Sequence, residues 1–188
     1  MSTVVSHKYK FIFVHVPKTS GSAFMTRFSP LWKYLGEDDV VLGGHIPYDE
    51  IKFTYPNEWQ DYFKITFVRN PWDRMVSLWI LRGGRSTFLN FLKRSQKLRK
   101  PGPKMLRPQS FYIGDGSEFD FIGRFENYQP SVYYVMGRVG LPLKVLKQVR
   151  ITPNRTQDYA PHYTLGCRRI VTSMYKDDVK NFGYKFKQ

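Results

Sequence analysis

The chain has 188 residues, 41% hydrophobic and 17% aromatic, enough for one domain with a sizeable core and too apolar for a disordered polymer. A single cysteine, Cys167, excludes a disulfide framework and a cysteine-built zinc site, and the absence of a basic stretch followed by a long apolar run leads us to expect a soluble protein of a reducing, cytoplasmic compartment. Thirty Lys+Arg against 15 Asp+Glu give a net charge of +15, which favours anionic partners: an acidic substrate, an acidic membrane surface or nucleic acid.

Residues 1–8 read as a disordered lead, and 9–188 as one domain. Lys8 to Val16, rich in β-branched and aromatic residues, predicts a strand, and Pro17 to Ser22 a polar turn. Ala23 to Phe28 opens a helix with Pro30 near its end, and Val40 to Gly44 is a second short strand followed by His45. Tyr62 to Val68 is a near-continuous apolar run that suits a parallel strand buried on both faces. Asn70-Pro71 is a helix start, with Asn as N-cap and Pro at the first helical position. Met75, Leu78, Trp79 and Leu81 give that helix an apolar stripe, and Gly83-Gly84 ends it.

Thr87 to Leu98 predicts an amphipathic helix with a basic face, and Lys100 to Pro108 a loop. These lie in a window between Asp73 and Asp115 that holds no acid but carries Arg74, Arg82, Arg85, Lys93, Arg94, Lys97, Arg99, Lys100, Lys104 and Arg107. Phe119 to Phe125 is a further strand, Pro130 to Val139 a helix, Val149 to Thr152 a last strand and Asn154 to Tyr163 a polar, aromatic loop. Leu165 to Asn181 is a final helix closed by Gly183. The alternation predicts an α/β fold, a single domain with a parallel sheet flanked by helices. Ligands of such sheets bind at the carboxyl ends of the strands, here the segments after strands one, two and three.

Two of these segments carry chemistry. Pro17-Lys18-Thr19-Ser20-Gly21-Ser22-Ala23 joins a strand to a helix, so it offers unpaired N–H groups, the positive end of a helix dipole, a lysine and three hydroxyls to a phosphate. It is not a Walker A loop, because the lysine precedes the glycine. The other reading is an ordinary polar turn. Arg69 leaves the end of a buried strand, and Ser77 sits two turns into the following helix. The arginine can hold a phosphate bidentately with help from the serine. Otherwise Arg69 and Asp73 form a structural ion pair.

Together the two segments resemble the nucleotide-binding signatures of the sulfotransferases that use 3′-phosphoadenosine-5′-phosphosulfate (PAPS), especially their carbohydrate (type 2) branch. Gly44-His45-Ile46-Pro47-Tyr48, Phe121 to Asn127, and Tyr175 to Asp178 with Phe182-Gly183-Tyr184 resemble three further segments of that branch. The resemblance covers about residues 10–185 and implies a P-loop-like nucleotide-binding sulfotransferase fold. It implies that Pro17 to Ala23 receive the 5′-phosphosulfate and that Arg69 and Ser77 hold the 3′-phosphate. The loop from Thr152 to Tyr159 would close over the nucleotide, with Arg155 meeting a phosphate. The reaction implied is sulfuryl transfer to a hydroxyl, or less readily an amine, of an acceptor such as a carbohydrate, with PAP as product and no metal.

Alcohol deprotonation needs a base of near-neutral pKa. His45 is the first candidate and His15 the second, since both end strands at the same expected crevice; Glu58 and Asp49 are fallback carboxylates, and His7 and His162 read as structural or surface residues. Two rival functions are a P-loop kinase-like phosphotransferase and a non-catalytic basic protein that binds polyanions. The first needs a Walker A lysine and magnesium-binding acids at strand ends, which are not visible. The second would use the 74–107 basic region, with no nucleic-acid motif to direct it to nucleic acid.

Overall fold

The computed structural model describes residues 2–19, 24, 34–98, 103–141 and 158–187. The helix expected from Ala23, the strand at Val149 to Thr152 and the site residues Ser20, Gly21, Ser22, Ala23 and Arg155 lie outside the described residues. In chain order the elements are β1 (Ser2–Ser6), β2 (Phe11–Val14), β3 (Val40–Gly43), α1 (Tyr48–Thr54), α2 (Pro56–Asp61), β4 (Phe63–Val68), α3 (Pro71–Leu81) and α4 (Phe88–Lys97). They continue with α5 (Ser110–Ile113), β5 (Phe121–Arg124), α6 (Tyr128–Arg138), α7 (Leu165–Met174) and α8 (Lys176–Asn181).

Among the described residues the strands form a five-stranded sheet in the order β3-β1-β2-β4-β5. The α/β class is as expected, but the sheet is mixed. β2, β4 and β5 are parallel neighbours, whereas β1 runs antiparallel to both β2 and β3. The antiparallel strand comes from the stretch expected to be a disordered lead; instead of being disordered, residues 2–6 are paired on both sides. Val4 and Val5 are wholly buried, one in each of two apolar clusters. Three consecutive residues, Val4, Val5 and Ser6, with a turn after them pair with β2.

Alternation continues along the other strands. Phe11, Phe13, Ile65 and Phe67 enter one cluster, with Val132, Val135 and Met136 of α6. Ile12, Val14 and Val68 enter the other, with Met75 and Leu78 of α3 and Val171 of α7. The sheet is thus covered on both faces, and each buried side chain of this size contributes about 1.5–3 kcal/mol. Gly123 on β5 is required for that packing: a Cβ there would overlap the Phe67 ring.

Helix α3 starts as its sequence dictates. The Asn70 side chain accepts from the Trp72 and Asp73 N–H groups, and Pro71 takes the first helical position. The single helix expected from Leu165 to Asn181 is two, α7 and α8, broken at Tyr175. Tyr175 is fully buried and its hydroxyl donates to the Leu106 carbonyl at 3.0 Å. A tertiary bond there outweighs continuation of the helical ladder. The 100–108 loop contains a 3-10 turn at Lys104–Leu106. Among the described residues no helix is long and apolar enough to cross a membrane.

Candidate active site

β2 and β4 are parallel, and β3 shares their direction because both it and β2 oppose β1. The residues leaving these three strands therefore meet at one edge of the sheet. They are His15 and the loop after it, His45, and Arg69 with α3.

The two histidines touch, with ring centroids 4.6 Å apart. The His15 backbone N–H donates to Thr3 Oγ1 at 3.3 Å, so β1 supports the end of β2. His45 Nδ1 lies 3.0 Å from the His15 carbonyl oxygen. A carbonyl can only accept, so Nδ1 carries the proton and the lone pair of neutral His45 sits on Nε2. Burial lowers the His45 pKa below its usual 6.5, against the opposing pull of that carbonyl bond. His15 is more deeply enclosed: burial first, and the neighbouring His45 second, lower it to about 3. Its ring stays neutral, is 1% exposed, and its Nδ1 has no hydrogen-bond partner among the described residues. His15 thus meets His45 through its main-chain carbonyl and a ring contact.

The loop after β2 turns on Lys18, whose φ of +68° lies in the left-handed region. That conformation costs a lysine about 1 kcal/mol or more relative to the usual regions, a strain typical of functional loops. Thr19 is buried and its hydroxyl donates back to the Val16 carbonyl at 2.9 Å, so that hydroxyl shapes the loop.

Arg69 is 3% exposed and held on several sides. Its Nε donates to Asp73 Oδ2 at 2.7 Å, and its guanidinium lies 3.8 Å over the Phe125 ring. The structural ion pair weighed from the sequence is therefore present, but Nη1 also donates to the Lys18 carbonyl at 3.1 Å. That bond joins the two sequence motifs directly. Ser77 is buried one turn beyond Asp73, on the helix face that carries it. Gln109 fixes the Arg69 backbone, accepting from its N–H and donating to its carbonyl, each at 2.8 Å.

Sequence reasoning missed three contributors. Arg74 stood among the ten basic residues of the acid-free window, yet it is 1% exposed. Its Nε donates to the Pro17 carbonyl at 3.0 Å, and its Nη2 to the carbonyls of Met105 at 3.1 Å and Arg107 at 3.0 Å. It braces the phosphate loop against the 103–107 segment. The available signal was its place on α3, four residues after the Asn70 cap and three before Ser77. Gln109 gave no signal. Lys104 was read as part of a loop; its Nζ stands 3.9 Å from where a Cβ on Gly44 would be, beside His45. The fallback carboxylates are elsewhere. Glu58 faces His7 at 3.9 Å, at the opposite end of the sheet, and Asp49 is exposed and accepts from the Glu50 N–H. His162 packs on Trp79 and Phe88, a structural place as expected.

The arrangement brings three cationic residues, Lys18, Arg69 and Arg74, together at the carboxyl edge, with the neutral His45 imidazole and Lys104 beside them. Among the described residues no group of three or more His, Cys, Asp or Glu could hold a metal ion. The family model described as "Sulfotransferase family" matches residues 1–185. The chain belongs to the sulfotransferase family. As a sulfotransferase it is a transferase that takes a small-molecule donor and an acceptor, and the carbohydrate branch is consistent with the match. No curated protein and no solved structure matches this sulfotransferase.

Proposed function

We propose that the protein transfers a sulfuryl group from PAPS to a hydroxyl, or less readily an amine, of a carbohydrate acceptor by in-line displacement, in the cytoplasm. The observation that carries this reading is the Arg69 Nη1 bond to the Lys18 carbonyl, which links a phosphate-type loop and a strand-end arginine beside His45. Lys18 and the loop N–H groups, with the residues from Pro17 to Ala23, receive the 5′-phosphosulfate end of the donor and stabilise charge on the leaving phosphate. Arg69 and Ser77 hold the 3′-phosphate, with Arg155 as a further phosphate contact. His45 Nε2 takes the acceptor proton as the new S–O bond forms and the donor's S–O bond breaks. His15 has a positioning role, since a buried imidazole of pKa about 3 is too weak a base for an alcohol.

Calorimetry with PAP and ADP tests the donor. Charge-assisted bonds to the 3′-phosphate should make PAP bind at least about tenfold tighter than ADP, which lacks that group. Equal affinities would remove the donor assignment.

A further inference from the structure

We propose that Lys104 holds an anionic group of the acceptor, a carboxylate or an ester sulfate, next to the hydroxyl that His45 deprotonates. The proposal rests on the sulfuryl-transfer reading and adds the acceptor's chemical class.

The lysine is exposed, and its ammonium stands 3.9 Å from where a Cβ on Gly44 would be, one residue before His45. Gly44 has a φ of +88° and Gly43 has nothing within 4 Å of where a side chain would stand, so the space in front of this edge is open. Lys104 does not reach there by chance of a floppy loop. The Tyr112 hydroxyl donates to its carbonyl at 2.7 Å, Arg74 donates to the next carbonyl and to that of Arg107, and Tyr175 donates to that of Leu106. The backbone that carries the side chain is therefore held by buried groups of α3 and α5 and by Tyr175.

Among the described residues no carboxylate answers this charge. Every Asp and Glu lies within the described residues, and no ion pair there includes Lys104. The acids near this edge are engaged otherwise: Asp73 by Arg69, Asp178 by the N–H groups of Gln109 and Ser110, and Glu126 by the Asn70 N–H and the Tyr184 hydroxyl. An unanswered ammonium beside the base works against proton uptake, and Lys104 is among the charges that depress His45. An acceptor anion placed on Lys104 cancels that penalty, so binding the right acceptor makes His45 a better base. The acceptor's own charge thereby contributes to its selection.

The test uses the PAP-loaded protein, a uronic-acid oligosaccharide, and the same oligosaccharide with its carboxylates reduced to alcohols. Calorimetry should give about tenfold tighter binding of the acidic form. Lys104→Met should abolish that preference while leaving the Kd for PAP unchanged, and Lys104→Arg should restore most of it. Lys97→Met, on the exposed face of α4, should change neither value. Equal binding of the two oligosaccharides by the wild type would overturn the proposal, as would an equal loss in Lys97→Met, the signature of diffuse basic attraction. Loss of PAP affinity in Lys104→Met would assign the lysine to the donor instead. Failure of PAP to outbind ADP would strike the donor reading separately.

Discussion

Two imidazoles 4.6 Å apart have been given different work by their surroundings. His15 sits under its neighbour with its ring closed off, whereas His45 is anchored through Nδ1, which leaves its lone pair on Nε2. Replacing His45 by Ala should lower kcat by about 10²-fold or more, the usual worth of a positioned base, and leave the Kd for PAP within about twofold. Retained turnover would dismiss it as the base. Because the His45 pKa is lowered from 6.5, the acid limb of a kcat/KM profile should fall below pH 6.5, where a base in water would already be half protonated. At this scale the sequence revealed spacing and not burial. Lys18, Arg69 and Ser77 could be singled out because motif spacing survives in one dimension. Arg74 was not, because nothing in a run of basic residues separates the one that donates to three carbonyls from those in water.

Among the elements, α3 was legible almost to the residue, since Asn70, Pro71 and Gly83-Gly84 are local instructions. β1 and the break at Tyr175 were not, because each is decided by partners distant in sequence: Phe11 to Phe13 and Val40 to Gly43 for the strand, Leu106 for the tyrosine. The close approach of β4 and β5 is likewise a long-range fact carried by one small residue. Gly123→Ala should destabilise the fold by about 1–3 kcal/mol, the common cost of overpacking, since its methyl would strike the Phe67 ring. Urea denaturation reads this, and pairing the change with Phe67→Leu should recover part of the loss. A full-size effect unchanged by the second substitution would place the strain elsewhere.

For the molecule as a whole, acid is the expected weakness. The unfolded chain protonates His15 near pH 6.5, and the folded protein does so only near 3. Between those values the unfolded state binds more protons, so this group's contribution to stability is complete above about pH 6.5 and declines as pH falls toward 3, by roughly 1.4 kcal/mol for each pH unit at full effect. Asp178 opposes this at lower pH, since burial raises its pKa and the folded state holds its proton more tightly. The urea midpoint should therefore fall between pH 7 and pH 5, and His15→Asn should flatten that slope. An unchanged slope would mean that His15 takes up its proton without unfolding the site.

The pairing of Ser2 with Gly43 has a practical meaning for anyone handling this protein. β1 begins at the very edge where His45 follows β3, so any peptide fused ahead of Ser2 emerges beside His45. A purification tag attached there would compete with acceptors for the opening, and its removal would change apparent kinetics without altering a single residue of the fold.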